Sequence, residues 1–113
     1  MPQHFTNQIE RLKRKLLAMG TLVERNATKA IQAVESADTQ LAWEVIAADI
    51  EIDEWEIEVG EECLHTLALY HPVASDMRFV ASVLTINKDL ERIGDLSVNL
   101  AEQAMFLAEE SID

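Results

Sequence analysis

From Phe5 to Val34 the apolar residues Phe5, Ile9, Leu12, Leu16, Met19, Val23, Ala27, Ala30 and Val34 recur every three or four positions. That is the spacing of one face of an α-helix, sustained over eight turns. Two further runs follow, each as long. Thr39–Tyr70 contains no proline, and the third run, from Pro72 to the acidic tail "AEESID", carries Phe79, Val80, Val83, Leu84, Ile86, Leu90, Ile93, Val98, Ala101 and Met105. Only two short stretches break the pattern. "ESADTQ" offers Ser36 or Asp38 as a helix cap, and in "YHPVASDMR" Pro72 lacks the N–H that a continuing helix needs, with Ser75 as a later cap. Three long helices with short links predict an all-α fold, an antiparallel three-helix bundle, formed by residues 1–113 as a single domain.

Composition agrees. Of 113 residues 49% are apolar and 27% charged, with 3 Gly and 2 Pro, which suits a packed helical domain rather than disorder. Aromatic residues are 5%, so aliphatic packing must dominate. Nine Lys and Arg face 21 Asp and Glu, a formal charge of -12, which argues against a nucleic-acid partner and for cations or a basic protein surface. The lone Cys63 forms no internal disulfide and reads as a small core residue. With no basic-then-apolar leader and no apolar run near the ~18 residues of a membrane span, a cytoplasmic location without direct membrane insertion is expected.

The acidic residues are not spread evenly. With helix two turned about 100° per residue, Leu41, Val45, Ile52, Val59 and Tyr70 fall on one side, and Ile46, Ile57 and Leu64 on another. Asp49, Asp53, Glu56 and Gly60 lie between these groups, within a broad apolar arc, whereas Glu51, Glu54, Glu58 and Glu61 hold the solvated back. On helix three Glu91 and Asp95 stand one turn apart at the margin of the apolar face, with Asn87 one turn earlier, while Lys88, Asp89 and Arg92 point away. Carboxylates at i and i+4 project side by side. Asp49 and Asp53 facing Glu91 and Asp95 would surround a small volume with oxygen donors suited to a hard or borderline divalent cation. The plain alternative is a solvated acidic strip on an acidic protein.

Other features point to chemistry less strongly. Glu62 and His65 have the Glu-x-x-His spacing of di-metal helical bundles, but in a single copy turned toward solvent. A di-metal carboxylate enzyme or metal-storage bundle is the alternative reading of the chain. His4 and His71 read as loop residues, and no nucleophile–base constellation can be assembled, so an enzyme is not expected. Gly20 sits at the edge of the first apolar face, where it would let another helix approach. The basic stretch from Arg11 to Lys15 reads as a solvated face or, alternatively, a docking patch for an acidic surface. Trp55 is expected in the core and Trp43 on the polar side, as a protein contact. Arg78 either pairs with Asp76 at the surface or folds inward to hold a carboxylate.

The stretches "PVASDMRF" and "INKDLERIGDLSVNLAE", with "HFTNQIERLKRKLLAMGTLVERNATKAI" and "AADIEIDEWE" upstream, resemble the PhoU family of phosphate-signalling regulators over nearly the whole chain. The resemblance implies a three-helix repeat whose two acidic motifs, here Asp49 with Asp53 and Glu91 with Asp95, bind divalent or iron ions (Fe, Mn, Mg or Zn). It further implies a cytoplasmic adaptor between the ATPase subunit of a phosphate ABC transporter and a sensor histidine kinase. Family members typically carry two repeats in tandem, and this chain carries one. A two-fold homodimer is therefore expected to cover the flank that a twin repeat would cover. Leu96 stands where many relatives have a histidine, leaving no nitrogen ligand there.

Overall fold

The computed structural model describes residues 2–110 and consists of three helices: α1 Pro2–Ser36, α2 Thr39–Tyr70 and α3 Ala74–Glu110. The end of the acidic tail, residues 111–113, lies outside the described residues. At 35, 32 and 37 residues each helix is about 50 Å long. Packed side by side they make a rod of 65 × 17 × 16 Å. No described helix is long and apolar enough to cross a membrane.

Local chemistry fixes both reversals. At the end of α1, Ala37 takes a left-handed conformation (φ 50°), its N–H reaches the Val34 carbonyl at 3.4 Å, and the Asp38 N–H reaches that of Ala33 at 2.9 Å. These two bonds form a Schellman cap, with alanine where glycine is usual. Asp38 then caps α2, its side chain accepting from the Leu41 N–H at 3.0 Å. At the other end His71 (φ 44°) closes α2 and Pro72 prevents its continuation. The Val73 carbonyl accepts the first helical bond of α3, from Met77 at 2.9 Å, so Ser75 lies inside the first turn rather than capping it.

The core has two parts. Leu12, Met19, Val23, Ile52, Val59, Cys63, Val80 and Val83 fill one half, with Trp55 and Leu90 packed against them. The other half is built from Ala30, Ala33, Ala42, Val45, Ala101 and Ala104, small residues that let the helices close in. Burial of the Cys63 thiol pushes its pKa up to about 11. Two asparagines tie the helices together from within. Asn26 donates to the Val45 carbonyl at 3.1 Å, joining α1 to α2, and Asn87 donates to the Glu56 carbonyl at 2.9 Å, joining α3 to α2.

Some sequence expectations change here. Glu62 is not turned to solvent: it accepts from Lys15 at 2.7 Å and Gln8 at 2.6 Å and pairs with Arg11 at 3.2 Å, a network that docks α1 on α2. The basic stretch of α1 is thus partly engaged inside the molecule. A Cβ added at Gly20 would meet nothing within 4 Å, so no neighbouring helix of the bundle uses that gap. The close approach is at Gly94, where an added Cβ would lie 3.0 Å from Asp49 Oδ1 and 3.5 Å from Ile52 Cγ2. Part of the expected apolar arc of α2 stays outside, with Ile57 and Leu64 exposed while Ile46 packs on the core, and on α3 Ile86 and Ile93 are exposed as well.

Candidate metal centre

The acidic groove runs along the contact of α2 with α3. Gly94 is the reason it is narrow, since the backbone of α3 there lies against the Asp49 side chain with no Cβ between. Asp49 is half-buried, and its Oδ1 is fully enclosed with no hydrogen-bond partner. One turn on, Asp53 projects from α2 beside it, and Asp95 projects from α3, one position past Gly94. One oxygen from each of Asp49, Asp53 and Asp95 lies within 4.8 Å of the other two. Among the described residues no lysine or arginine forms an ion pair with any of the three.

Such crowding has an electrostatic cost. The Asp49 carboxyl is held above its ordinary pKa, first by burial and then by the charges of Asp53, Asp95 and Glu91. Asp53 is shifted the same way, by burial and by Asp95 and Glu91. An orphaned buried oxygen and converging carboxylates without a protein counter-charge fit a divalent cation, which would satisfy the lone pairs and remove the repulsion. The donor set is oxygen only, the chemistry of a hard cation rather than a thiolate- or imidazole-selected one.

Glu91 sits differently from the three aspartates. It is hydrogen-bonded to Glu56 across the groove, a contact that holds the Glu56 carboxyl above its ordinary pKa and the Glu91 carboxyl below it. Lys88 does not point away as helical spacing suggested: its Nζ lies 3.6 Å from both Glu56 Oε2 and Glu91 Oε2. Asp89 and Arg92 do pair on the outer surface, at 3.2 Å. Asn87 is buried at 1% exposure, and its Oδ1 has no donor. The groove therefore has an uncompensated end, Asp49–Asp53–Asp95, and a compensated end, Glu56–Glu91–Lys88. Sequence reasoning placed the four motif carboxylates on facing stripes but missed Lys88, whose long stem lets its head reach back over the groove.

The remaining candidates separate from this site. Glu62 is engaged by Arg11, Lys15 and Gln8 while His65 is exposed, so the Glu-x-x-His spacing assembles no ligand pair. Arg78 is exposed and forms no ion pair with Asp76 or the acidic stripe. Trp43 is exposed on α2, in line with Ile50, Ile57 and Leu64.

Residues 16–104 match the PhoU domain. The chain is 38% identical over 109 residues to the phosphate-specific transport system accessory protein PhoU homolog 1 of Thermotoga maritima, covering 96% of this chain and 47% of that protein. It is 41% identical over 108 residues to the homolog of Pseudomonas aeruginosa, covering 96% and 45%. The crystal structure of PhoU from Pseudomonas aeruginosa superposes with a TM-score of 0.92 at 40% identity, over 94% of this chain and 51% of that one. The chain thus spans about half the length of the curated relatives it matches, and its sequence and fold place it in the PhoU family.

Proposed function

We propose that the chain is a cytoplasmic, non-enzymatic adaptor of a phosphate transport system, a PhoU-type regulator that binds divalent or iron ions and acts by protein contact. The observation that carries the cation part is the convergence of Asp49, Asp53 and Asp95 around an enclosed, unpartnered Asp49 Oδ1. Glu91, one turn from Asp95, adds its negative field to Asp49 and Asp53. The adaptor part is supported by the relatives, which are named accessory proteins of a phosphate-specific transport system. On this reading the partners are the transporter's ATPase subunit and a sensor histidine kinase, and the bound ion fixes the α2–α3 contact by cancelling carboxylate repulsion. The homodimer forms through the α1–α3 face. Phe79 lies under Lys13 of α1, and the stripe it begins on α3 continues at seven-residue steps through Ile86, Ile93, Leu100 and Leu107, all exposed. Leu17 and Ile31 are exposed on α1, and Gly20 leaves an open notch near Leu17 that a second copy can enter.

Expression in a bacterium deleted for its own PhoU tests the proposal. The chain is expected to restore repression of phosphate uptake under phosphate excess, and a variant with Asp49, Asp53 and Asp95 changed to Asn is expected to restore it poorly. Stable expression with no effect on uptake would contradict the adaptor reading. Equal rescue by the triple variant would contradict a role for the ion.

A further inference from the structure

Trp43, Ile50, Ile57 and Leu64 stand seven residues apart on α2, and each is more than half exposed. They form a ridge about 32 Å long on the outside of the helix, while Val45, Ile52 and Val59 carry its contacts with the core. A seven-residue step drifts by only about 20° each time along a straight helix, so a partner helix wound slightly around α2 can follow the ridge from end to end. Acidic residues border it on both sides. Glu54 and Glu61 each lie four residues after one ridge residue and three before the next, and Asp53 lies three after Ile50 and four before Ile57. All three are exposed, and none forms an ion pair among the described residues. A second copy of this acidic chain laid on the ridge would set like charges against each other, whereas Lys or Arg beside an apolar stripe would pair with them. Size points the same way. A strip one helix wide and about 32 Å long covers on the order of 300 Å², well under the ~800 Å² per partner of a stable complex, so the contact is a reversible one.

We propose that the Trp43–Leu64 ridge of α2 is the docking surface for a basic amphipathic helix of a partner protein, whose apolar stripe covers the ridge and whose Lys or Arg residues meet Glu54 and Glu61. The proposal rests on the protein-contact part of the function proposed above, names the chemistry of that contact, and does not depend on the ion. Apolar cover of the ridge supplies the attraction, and the bordering charges choose the partner and set its register.

Titration calorimetry of the full, ion-free chain with a synthetic helix of about four heptads, Leu along one face and Lys beside it, tests this against the same peptide with Glu in place of Lys. The basic peptide is expected to bind, about tenfold more weakly once salt is raised from about 0.05 to 0.5 M, and the acidic peptide is expected not to bind. Ile50→Ser with Ile57→Ser should weaken the basic peptide about tenfold, and Glu54→Gln with Glu61→Gln should flatten its salt dependence. Leu17→Ser, on the α1–α3 face, should change neither. Because all these side chains are exposed, their replacement leaves the core intact. A wild type that ignores the basic peptide, a double serine variant that binds like the wild type, or a Leu17→Ser variant that loses as much overturns the docking role. So does a wild-type dimer that the double serine variant turns into a monomer in light scattering, because a second copy would then cover the ridge. Ridge-dependent peptide binding by a chain that has no effect on uptake in the deleted strain would contradict the adaptor reading alone and leave the docking surface standing.

Discussion

Asp49 concentrates the conflict between fold and charge. Its carboxylate is pressed against the backbone at Gly94, buried in part, and surrounded by Asp53, Asp95 and Glu91. Because Asp49 and Asp53 have raised folded values, the native state binds their protons more tightly than the unfolded chain does. Their contribution to stability is present below the ordinary carboxylate range and is lost as pH rises through the raised values. Glu62 has the opposite sign: Lys15, Gln8 and Arg11 lower its value despite burial, so its contribution is present at neutral pH and is lost as pH falls through the lowered value. The ion-free Asp53→Asn chain is accordingly expected to melt higher than the wild type at pH 7, with the gap closing in acid. Glu62→Gln should cost about 1–2 kcal/mol at pH 7, since the partly buried Lys15 keeps only Glu58, at 3.4 Å, as an ionised partner. Thermal melts across pH check both. Helical spacing exposed the motif carboxylates because it reports where each Cβ lies, but it could not place Lys88 or Glu62, whose long side chains cross from one helix to another.

Helix ends and helix contacts carry the next level of the account. The ends were legible, because Asp38 and Pro72 act through local rules that need no knowledge of the neighbours. Ala37 pays for a left-handed turn that glycine adopts freely, so Ala37→Gly should stabilise the chain by up to about 1 kcal/mol, raising Tm by roughly 4 °C. Contacts between helices were less legible. Gly20 and Gly94 look alike in sequence, and only the pairing of α2 with α3 makes the second a close approach. Gly94→Ala places a methyl group 3.0 Å from Asp49 Oδ1 and must push that carboxylate aside. It is expected to weaken cation binding at least tenfold while costing only about 1–2 kcal/mol of stability. Unchanged affinity by titration calorimetry would mean that Asp49 is not a ligand.

At the scale of the molecule, three helices enclose one line of core residues and leave the rest of their apolar surface outside. Sequence periodicity marked Val45, Ile52 and Val59 together with Ile57 and Leu64, since a broad arc reads the same whether one neighbour or two cover it. The same holds on α3 for Val80 and Val83 against Ile86 and Ile93. A charge placed on the outer α1–α3 face therefore tests assembly without touching the core: Leu17→Glu with Ile93→Glu should convert a dimer to a folded monomer in light scattering. A wild type that is monomeric at all concentrations would contradict pairing through that face. The groove between α2 and α3 remains the central claim. Elemental analysis of the chain after loading with manganese or iron and removal of free ion tests it most directly. At least one ion per chain in the wild type and none in the folded Asp49→Asn, Asp53→Asn, Asp95→Asn variant is the predicted result; equal ion content in the two proteins would contradict it.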